Sequence, residues 1–267
     1  MQVVNSQLVS NKKVLLRFDI DVQITFGKVT EDFKLRAGLP TLKLCLENAE
    51  QVILMGHIGR PEGKVVPELS VEPIKQWFFE NGFSEYLNNG KLKVLENLRF
   101  DLREEACDIE YAKELASKGD VYINEAFSSY HPAASTTILP TLLPHFAGLR
   151  FAREVEVLTD VRDNPKKPFI AIMGGAKVTD KLPVIEALAQ KADAVLVGGK
   201  LVDEIREQNL NLPKNVLVGK LLDDGFDIAS ETVEAWRNLI NQAATIIWNG
   251  PLGKFEDPKN DATKKIA

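Results

Sequence analysis

Residues 168–199 read PFIAIMGGAKVTDKLPVIEALAQKADAVLVGG, and this stretch indicates the fold class of the whole chain. The apolar run Phe169–Met173 does not alternate with polar residues, which is typical of a strand buried on both faces. Paired glycines follow, then a helical pattern that begins near Thr179 to Asp180, then a second apolar run that ends in two glycines. A strand, a helix and a strand in this order predict an α/β protein with a parallel sheet.

The turn between this strand and the helix carries the features of an anion site. Gly174 and Gly175 allow the backbone to approach a ligand closely. Lys177 and Lys181 flank the start of the helix, whose free amide groups also attract anions, so phosphate is the favoured ligand. The spacing matches neither a Walker A loop nor a dinucleotide GxGxxG turn. On spacing alone, a strand-to-helix turn with two solvated lysines is the alternative.

The composition describes an ordinary globular protein and excludes several classes of function. The 267 residues are 45% hydrophobic and 27% charged, and this length allows one large domain or two modest ones. A net charge of −5 argues against a general nucleic-acid or anionic-membrane binder, so any basic site must be local. Cys45 and Cys107 lack metal-site spacing and are expected to be buried thiols in a reduced setting.

No segment indicates export or membrane insertion. The residues from Met1 to Lys13 lack the apolar core of a signal peptide, and no apolar run reaches transmembrane length. A cytoplasmic protein without a nucleic-acid or membrane partner is therefore expected.

Charged side chains follow one strand after another in the N-terminal half. The first three predicted strands are VLLRFDI at 14–20, QVILMGHI at 51–58 and LKVLENLRF at 92–100. Because α/β sheets bind their ligands at the carboxyl ends of the strands, these charges are expected to meet at one edge. The alternative at each position is a solvated strand end. The charged residues are Arg17, Asp19, Asp21, His57, Arg60, Glu96 and Arg99.

Three of these positions would create a basic region in an acidic chain. Arg17, the pair His57 and Arg60, and Arg99 belong to three different strands that could converge. An arginine near a strand end suits phosphate or carboxylate, because its planar fork can donate two hydrogen bonds to either group. The pattern therefore predicts a site for a small, multiply anionic substrate.

The remaining pattern continues the alternation and suggests two halves. Helices are predicted over 33–47, 70–79, 109–118 and 154–163 and from about Ser230, and Pro40 implies a kink or a late start in the first. Further strands are predicted over 120–127, 215–218 and 245–248. Prolines and polar residues mark a linker near 163–168. The expected organisation is an N-terminal domain 1–152, an interdomain helix and linker 153–167, and a C-terminal domain 168–267.

Five motifs in this order resemble those of the phosphoglycerate kinases. The resemblance covers nearly the whole chain, from Lys13 to Ala267. The motifs are RFDIDV at 17–22, GHIGRP at 56–61, ENLRF at 96–100, GGAKVTDK at 174–181 and WNGPLGKFE at 248–256.

The resemblance implies two Rossmann-like three-layer domains with mainly parallel sheets, joined by a helix and a hinge. It also implies a monomer with phosphoglycerate on the N-terminal domain and nucleotide on the C-terminal domain. The implied reaction is reversible phosphoryl transfer between 1,3-bisphosphoglycerate and ADP, giving 3-phosphoglycerate and ATP. Magnesium accompanies the nucleotide, and domain closure brings the two substrates together.

The resemblance also assigns roles to individual residues. Phosphoglycerate binding falls to Asp19, His57, Arg60 and Arg99, and we add Arg17, Asp21 and His131 from the same region. The expected nucleotide-binding residues are Gly174, Gly175, Lys177, Lys181, Gly198, Gly199, Asn249, Gly250 and Glu256. The expected catalytic residues are Lys34, Lys177 and Lys181. These roles agree with the chemistry, since phosphoryl transfer needs alignment and cations rather than a protein nucleophile.

The chain departs from the family pattern at four places. Asp21 replaces an asparagine, which puts a carboxylate beside an anionic substrate. Lys34 replaces an arginine, which keeps the charge but loses the bidentate fork. The family's HRAH is His131-Pro132-Ala133-Ala134 here, and Lys200 replaces the usual third glycine of the second glycine turn.

The C-terminal domain is also expected to be incomplete. The region between Gly199 and Asp227 is shorter than in the family, and the chain ends before the expected glycine-rich loop whose aspartate helps to hold the metal–nucleotide. No metal ligands are therefore predicted among these residues. An incomplete copy of a longer chain and a reduced variant both agree with this pattern.

Three hypotheses follow from the sequence. The first is a divergent phosphoglycerate kinase, which the order of the motifs favours. The second is a binding protein of the same fold with weak or no catalysis, which the lost arginine and metal loop favour. The third is another α/β enzyme or nucleotide-binding module that shares only the architecture. Turnover, ligand binding without turnover, and no binding of ATP or phosphoglycerate would distinguish the three.

Overall fold

The chain folds into two compact units, Met1–Val157 and Leu158–Ala267. The computed structural model describes residues 1–175 and 177–267, apart from the side chains of residues 178 and 180. The division falls within the helix Leu149–Asp163.

The N-terminal unit combines a parallel sheet, a small hairpin and several helices. Its strands are β1 (Lys13–Arg17), β2 (Ile24–Thr25), β3 (Lys28–Val29), β4 (Gln51–Met55), β5 (Leu92–Val94), β6 (Val121–Asn124) and β7 (His145–Ala147). Its α-helices are α1 (Ser6–Val9), α2 (Phe33–Asn48), α3 (Glu72–Phe78), α4 (Ser84–Asn88), α5 (Leu102–Glu105), α6 (Ile109–Ala116) and α7 (Leu139–Leu142), and α8 is Leu149–Asp163.

The main sheet of this unit has the order β5-β4-β1-β6-β7, and all its neighbouring strands are parallel. Successive residues of a strand enter different cores: Val14 and Leu16 join one hydrophobic cluster, whereas Leu15 joins another. Both faces are therefore covered, which explains why the strand sequence is continuously apolar. The predicted three-layer α/β architecture is confirmed.

The C-terminal unit repeats this plan with four strands. They are β8 (Phe169–Met173), β9 (Ala194–Val197), β10 (Val216–Val218) and β11 (Thr245–Asn249), in the parallel order β10-β9-β8-β11. The helices are α9 (Val178–Ala189), α10 (Leu201–Glu207), α11 (Ser230–Asn241) and α12 (Ala262–Ile266). Ala171 and Ile172 again enter separate clusters, so this sheet also has two covered faces.

Both sheets contain a point where the chain reverses its direction of strand addition. In the N-terminal unit this point lies between β1 and β6, and in the C-terminal unit it lies between β8 and β11. Ligands of open α/β sheets bind in the crevice outside the carboxyl ends of the strands at such a point. The topology therefore directs attention to the loops that follow these four strands.

The third predicted strand is wrong over most of its length. Strand β5 ends at Val94, and Leu98–Phe100 forms a 3-10 turn. The Asn97 side chain accepts a hydrogen bond from the Arg99 amide and begins that turn. Glu96 does not face a ligand site, because its carboxylate accepts hydrogen bonds from the Ser70 hydroxyl and the Val71 amide.

Two other local predictions need correction. Helix α2 begins at Phe33 and continues past Pro40, so the late start is wrong. Cys45 is buried as expected, and burial raises the pKa of its thiol to about 12. Cys107 is only partly buried, so the prediction for this second thiol is wrong.

Candidate functional site in each unit

The N-terminal unit gathers its polar side chains at the carboxyl edge of the main sheet. Arg17 ends β1 and is in register with Met55, the last residue of β4. His57 follows two residues later, and Arg99 lies in the turn after β5. Because these strands are parallel, residues separated along the sequence meet at one edge, as the sequence predicted.

Arg17 and His57 are in direct contact. The Arg17 Nη2 atom lies 2.7 Å from His57 Nδ1, and the same guanidinium donates to the Phe18 carbonyl and to the Ser135 hydroxyl. Arginine can only donate hydrogen bonds, so His57 Nδ1 must accept. A neutral His57 therefore carries its proton on Nε2.

His57 remains uncharged over the physiological pH range. Burial lowers the pKa of its imidazole to about 3, and the nearby side chains of Arg17, Arg99, His131 and Lys34 add to this effect. The site therefore offers a neutral Nε2–H donor beside fixed cations.

The buried acid Glu104 helps to hold the Arg17 side chain through a serine that contacts both residues. The Arg17 side chain is 1% exposed, and so is Glu104. The Ser135 hydroxyl donates to Glu104 Oε1 at 2.5 Å and accepts from Arg17 Nε at 3.1 Å, so it links the two charged groups. The Ser135 amide also donates to Glu104 Oε2. This chain of contacts fixes the position of the guanidinium.

The two aspartates that follow β1 are occupied by protein donors. Asp19 accepts hydrogen bonds from the hydroxyls of Ser128 and Ser129, which lie in the loop after β6. Asp21 Oδ1 accepts the Gly59 amide at 3.0 Å, and Asp21 Oδ2 lies 4.0 Å from His57 Nε2. The carboxylate of Asp21 is thus balanced by donors of the protein, which reduces its repulsion of an anionic ligand.

Lys34 lies close to both aspartates. Its ammonium donates to the Asp21 main-chain carbonyl at 2.9 Å and lies 3.7 Å from Asp19 Oδ1. The side chain remains one-third exposed, so the cation is still accessible from solvent.

The other predicted phosphoglycerate residues differ in how firmly they are held. Arg99 donates to the Gly59 carbonyl at 2.8 Å and forms an ion pair with Glu105 at 3.1 Å. The side chains of Arg60 and His131 are exposed. Neither side chain forms a hydrogen bond or an ion pair with another residue that the structure describes, so both are less constrained than Arg99.

In the C-terminal unit, the glycine loops pack against each other. The Gly174 amide donates to the Asn249 carbonyl, and the Gly175 amide donates to the Pro251 carbonyl. A Cβ atom on Gly174 would lie 2.0 Å from the Pro251 oxygen, and one on Gly250 would lie 2.5 Å from the Gly174 oxygen. These two glycines are therefore required for contact between loops, which the sequence alone did not distinguish from contact with a ligand.

A cavity of about 410 Å³ opens beside these loops. Gly175 has a φ of +122°, and a Cβ atom there would meet, among the atoms that the structure describes, only the Lys181 side chain, at 3.9 Å. Gly198 instead packs against Leu252, whose Cδ2 atom would lie 2.7 Å from a Cβ on that glycine. The cavity is lined by Gly175, Gly199, Lys200, Gly225, Phe226, Pro251, Gly253, Lys254 and Glu256.

The two predicted lysines of this unit lie in different environments. Lys181 donates a hydrogen bond to Asn249 Oδ1, which links helix α9 to the end of β11. Lys177 precedes α9, and its side chain is exposed and does not line the cavity.

Several residues at these sites were not predicted. Ser128 and Ser129 were visible only as part of a polar loop after a strand, and Glu104 lies in the acidic run LREEA, which reads as solvated surface. Phe226 and Lys254 line the cavity, although neither stood out in the sequence. Lys200 was noted as a departure but was given no role.

The described residues contain neither a metal-binding cluster nor a membrane-spanning helix. Within 1–175 and 177–267, no three His, Cys, Asp or Glu side chains cluster closely enough to hold a metal ion. None of the helices in this part of the chain is both long and apolar enough to cross a membrane.

The chain is similar to known proteins along most of its length. A sequence model of the family "Phosphoglycerate kinase" matches residues 4–217 and 220–267. The phosphoglycerate kinase of Roseiflexus castenholzii is 35% identical over 326 aligned residues, which cover 97% of this chain and 82% of the relative. That of Dictyoglomus turgidum is also 35% identical, with 96% and 81% covered. Because each alignment is longer than the 267 residues, the relatives carry internal segments that this chain lacks.

Solved structures agree with these relatives. The phosphoglycerate kinase from Coxiella burnetii is 27% identical with a TM-score of 0.77, and the match covers 97% of this chain and 82% of the other. The enzyme from Pyrococcus horikoshii shares the fold, with a TM-score of 0.81 at 23% identity over 100% and 85% of the two chains. By its sequence and its fold, the chain belongs to the phosphoglycerate kinase family of enzymes.

Proposed function

We propose that the chain transfers a phosphoryl group reversibly between 1,3-bisphosphoglycerate and ADP, giving 3-phosphoglycerate and ATP. The N-terminal unit binds the phosphoglycerate, and the C-terminal unit binds the nucleotide together with its magnesium. Residues 153–167 form the connection, and the two units close to align the substrates. The proposal includes a cytoplasmic monomer, which sedimentation of the purified chain would check.

The observation that carries this proposal is the preorganised basic edge of the N-terminal sheet. Arg17 and Arg99 are held by protein acceptors, and His57 presents a neutral Nε2–H donor beside them. Cations fixed before binding do not have to be ordered by the ligand, so they favour a small molecule with a phosphate and a carboxylate.

The chemistry asks little more of the protein than position and charge. The transferring phosphoryl group spreads negative charge over its equatorial oxygens, which lysines can stabilise. In this proposal Lys34 acts from the N-terminal unit, and Lys177 and Lys181 act from the C-terminal unit. The remaining phosphoglycerate ligands are Asp19, Asp21, Arg60 and His131, and the remaining nucleotide ligands are Gly174, Gly175, Gly198, Gly199, Asn249, Gly250 and Glu256.

A coupled assay with 3-phosphoglycerate, ATP and magnesium tests the reaction. Binding titrations with each substrate test whether the N-terminal unit binds the phosphoglycerate and the C-terminal unit binds the nucleotide. Arg99→Ala is expected to weaken 3-phosphoglycerate binding about tenfold or more while ATP binding stays within about twofold, since one charge-assisted contact is lost. Lys177→Ala is expected to lower turnover without this loss of 3-phosphoglycerate affinity. Arg237→Ala, on an exposed helix face, is the control for a general effect of removing a cation.

A binding protein with little catalysis is the second candidate. The Lys34 ammonium is already held by the Asp21 carbonyl and lies near Asp19, which reduces its availability to a transferring phosphoryl group. Retained binding of both substrates without turnover would favour this candidate. If the chain bound neither 3-phosphoglycerate nor ATP, both proposed functions would be rejected.

A further inference from the structure

The short helix α5 places two adjacent glutamates beside two arginines of the basic edge of the N-terminal sheet. Glu104 is linked to Arg17 through the Ser135 hydroxyl. Glu105, the last residue of the helix, forms an ion pair with Arg99. The proposed function uses both arginines but assigns no role to either glutamate. One helix of four residues therefore supplies a counter-charge to each of two cations at the edge.

The two glutamates are held in different ways. Glu104 is 1% exposed, and its carboxylate accepts hydrogen bonds from both the amide and the hydroxyl of Ser135. The Glu105 side chain is 45% exposed, and it accepts no hydrogen bond from the residues that the structure describes. Because water can replace the partner of an exposed carboxylate, such a pair separates at little cost. Glu104 is therefore a fixed counterion, and Glu105 is one that can be displaced.

Arg99 is held in position by contacts other than the one with Glu105. Its guanidinium donates to the Gly59 carbonyl at 2.8 Å, and its amide donates to the Asn97 side chain at 3.1 Å. A guanidinium has five N–H donors, so the bond to Gly59 leaves further donors for a ligand. Displacement of Glu105 is thus expected to free the charge of Arg99 without moving the side chain.

The Glu105 carboxylate and a bound anion compete for this one guanidinium. Glu105 Oε1 lies 3.1 Å from Arg99 Nε. Phosphate and carboxylate groups seek the same planar donors. A ligand that brings a negative charge to Arg99 replaces the glutamate, whereas a neutral ligand leaves the ion pair intact and gains nothing from this arginine.

We propose that Glu105 sets the affinity of the basic edge for anions, because it pairs with Arg99 until a ligand displaces it. This inference rests on the proposed function, since it takes 3-phosphoglycerate as the anion that binds there. It goes beyond that function by identifying a residue outside the predicted site whose charge lowers the affinity and restricts Arg99 to negatively charged ligands.

The experiment is calorimetric titration of the full chain with 3-phosphoglycerate at low and at high salt. Glu105→Gln is expected to tighten binding about two- to fivefold, because the variant has no carboxylate for the ligand to displace. The gain should become smaller at high salt, since added ions screen the attraction between Glu105 and Arg99 in the unaltered chain.

The matched control is Glu114→Gln. Glu114 is also an exposed glutamate of the N-terminal unit, and it pairs with Arg103, which is not one of the predicted ligand residues, at 2.7 Å. This variant should change the affinity by less than about 1.5-fold. A second control adds Glu105→Gln to Arg99→Ala, where it should no longer tighten binding because its partner is absent. Thermal unfolding of all variants checks that they fold.

Three results would overturn the inference while leaving the proposed function intact. The first is unchanged or weaker 3-phosphoglycerate binding by Glu105→Gln. The second is an equal gain from Glu114→Gln, which would indicate a general effect of net charge. The third is the same gain in the Arg99→Ala background, which would show that Glu105 does not act through Arg99.

Inorganic phosphate, followed by the NMR signal of the Arg99 Nε–H group, separates the two proposals. If the unaltered chain does not bind 3-phosphoglycerate, but phosphate shifts this signal at a lower concentration in Glu105→Gln than in the unaltered chain, the inference stands and the proposed function fails. If neither 3-phosphoglycerate nor phosphate changes the signal in either protein, both fail.

Discussion

The two units position their candidate ligand residues by different means. In the N-terminal unit, buried side chains hold one another, as in the series Glu104, Ser135, Arg17 and His57. In the C-terminal unit, main-chain groups hold the loops, as in the contacts of Gly174 with Asn249 and Pro251. The cations of this second unit, Lys177, Lys181, Lys200 and Lys254, are left nearer to solvent.

This difference has energetic consequences. A buried charged network has to be complete, because removal of one member leaves another charge desolvated and unpaired. A junction of main-chain atoms tolerates changes in charge but has no room for a new side-chain atom. Substitutions that remove a buried charge are therefore expected to destabilise the N-terminal unit. Substitutions that add side-chain atoms at the glycine loops are expected to destabilise the C-terminal unit.

The largest expected effect is that of Arg17→Met. This change removes the cation that Ser135 links to the buried Glu104, and it leaves the Ser135 hydroxyl and His57 Nδ1 without their donor. The free energy of unfolding should fall by about 3–5 kcal/mol, as for other broken buried charge networks. Urea unfolding measures it. The control Arg237→Met, which removes an exposed arginine, should change it by less than about 0.5 kcal/mol.

Gly174→Ala is expected to cause the next largest loss of stability. Its new Cβ atom would meet main-chain atoms of Pro251, which cannot rotate away, so we expect a loss of about 3 kcal/mol and a weakened nucleotide site. Gly90→Ala is the control: its φ is +76°, but no atom lies within 4 Å of the new Cβ. It should cost about 1 kcal/mol through backbone strain alone. Equal effects of the two changes would contradict the proposed role of the junction.

Ionisation of Glu125 is expected to have an effect of intermediate size on the free energy of unfolding, and this effect depends on pH. Its side chain is 2% exposed, and it accepts the amides of Arg150 and Phe151 at the start of α8. Burial raises the pKa of this carboxyl from 4.5 to about 7. Between these values the folded chain keeps a proton that the unfolded chain has released, so stability is full below about pH 4.5 and decreases as the pH rises through about 7.

The variant Glu125→Gln keeps an acceptor for the helix amides but cannot ionise. Unfolding free energies at pH 4.5, 6 and 8 should therefore decrease less steeply in the variant, with a difference of up to about 3 kcal/mol accumulated across the range. If the unfolding free energy changed with pH in the same way in the unaltered chain and in the variant, the ionisation of Glu125 would not contribute to the pH dependence of stability.

The smallest expected effect is that of Asp21→Asn. The amide oxygen can still accept from Gly59, and the side chain is 40% exposed, so stability should change by less than about 1 kcal/mol. Removal of one negative charge near the basic edge should tighten 3-phosphoglycerate binding about two- to fivefold. Titration calorimetry measures this, with the exposed Glu68→Gln of the same unit as the control. Weaker binding in the Asp21→Asn variant would contradict this expectation and indicate that the proposed ligand Asp21 contributes through its negative charge, which the amide of asparagine lacks.

Much of the fold could be predicted because its signals are local. The unbroken apolar run Phe169–Met173 indicates a strand with two covered faces, and the structure has that strand with the same bounds. Charges after strands and glycines after strands mark the two ligand edges, because the carboxyl ends of parallel strands lie together. These features depend on periodicity over a few residues, which the sequence displays directly.

The rest depended on contacts between distant parts of the chain. Helix α8 was predicted from Glu154 but begins at Leu149, since Thr41 and Glu125 accept the amides of its first turn. Arg17 and Ser135 are 118 positions apart, and no local pattern marks one as the partner of the other. The sequence determined the order of strands and helices and the edges where ligand residues collect. Only the tertiary structure decided which of those residues are buried, paired or free, because burial and pairing are properties of neighbours in space.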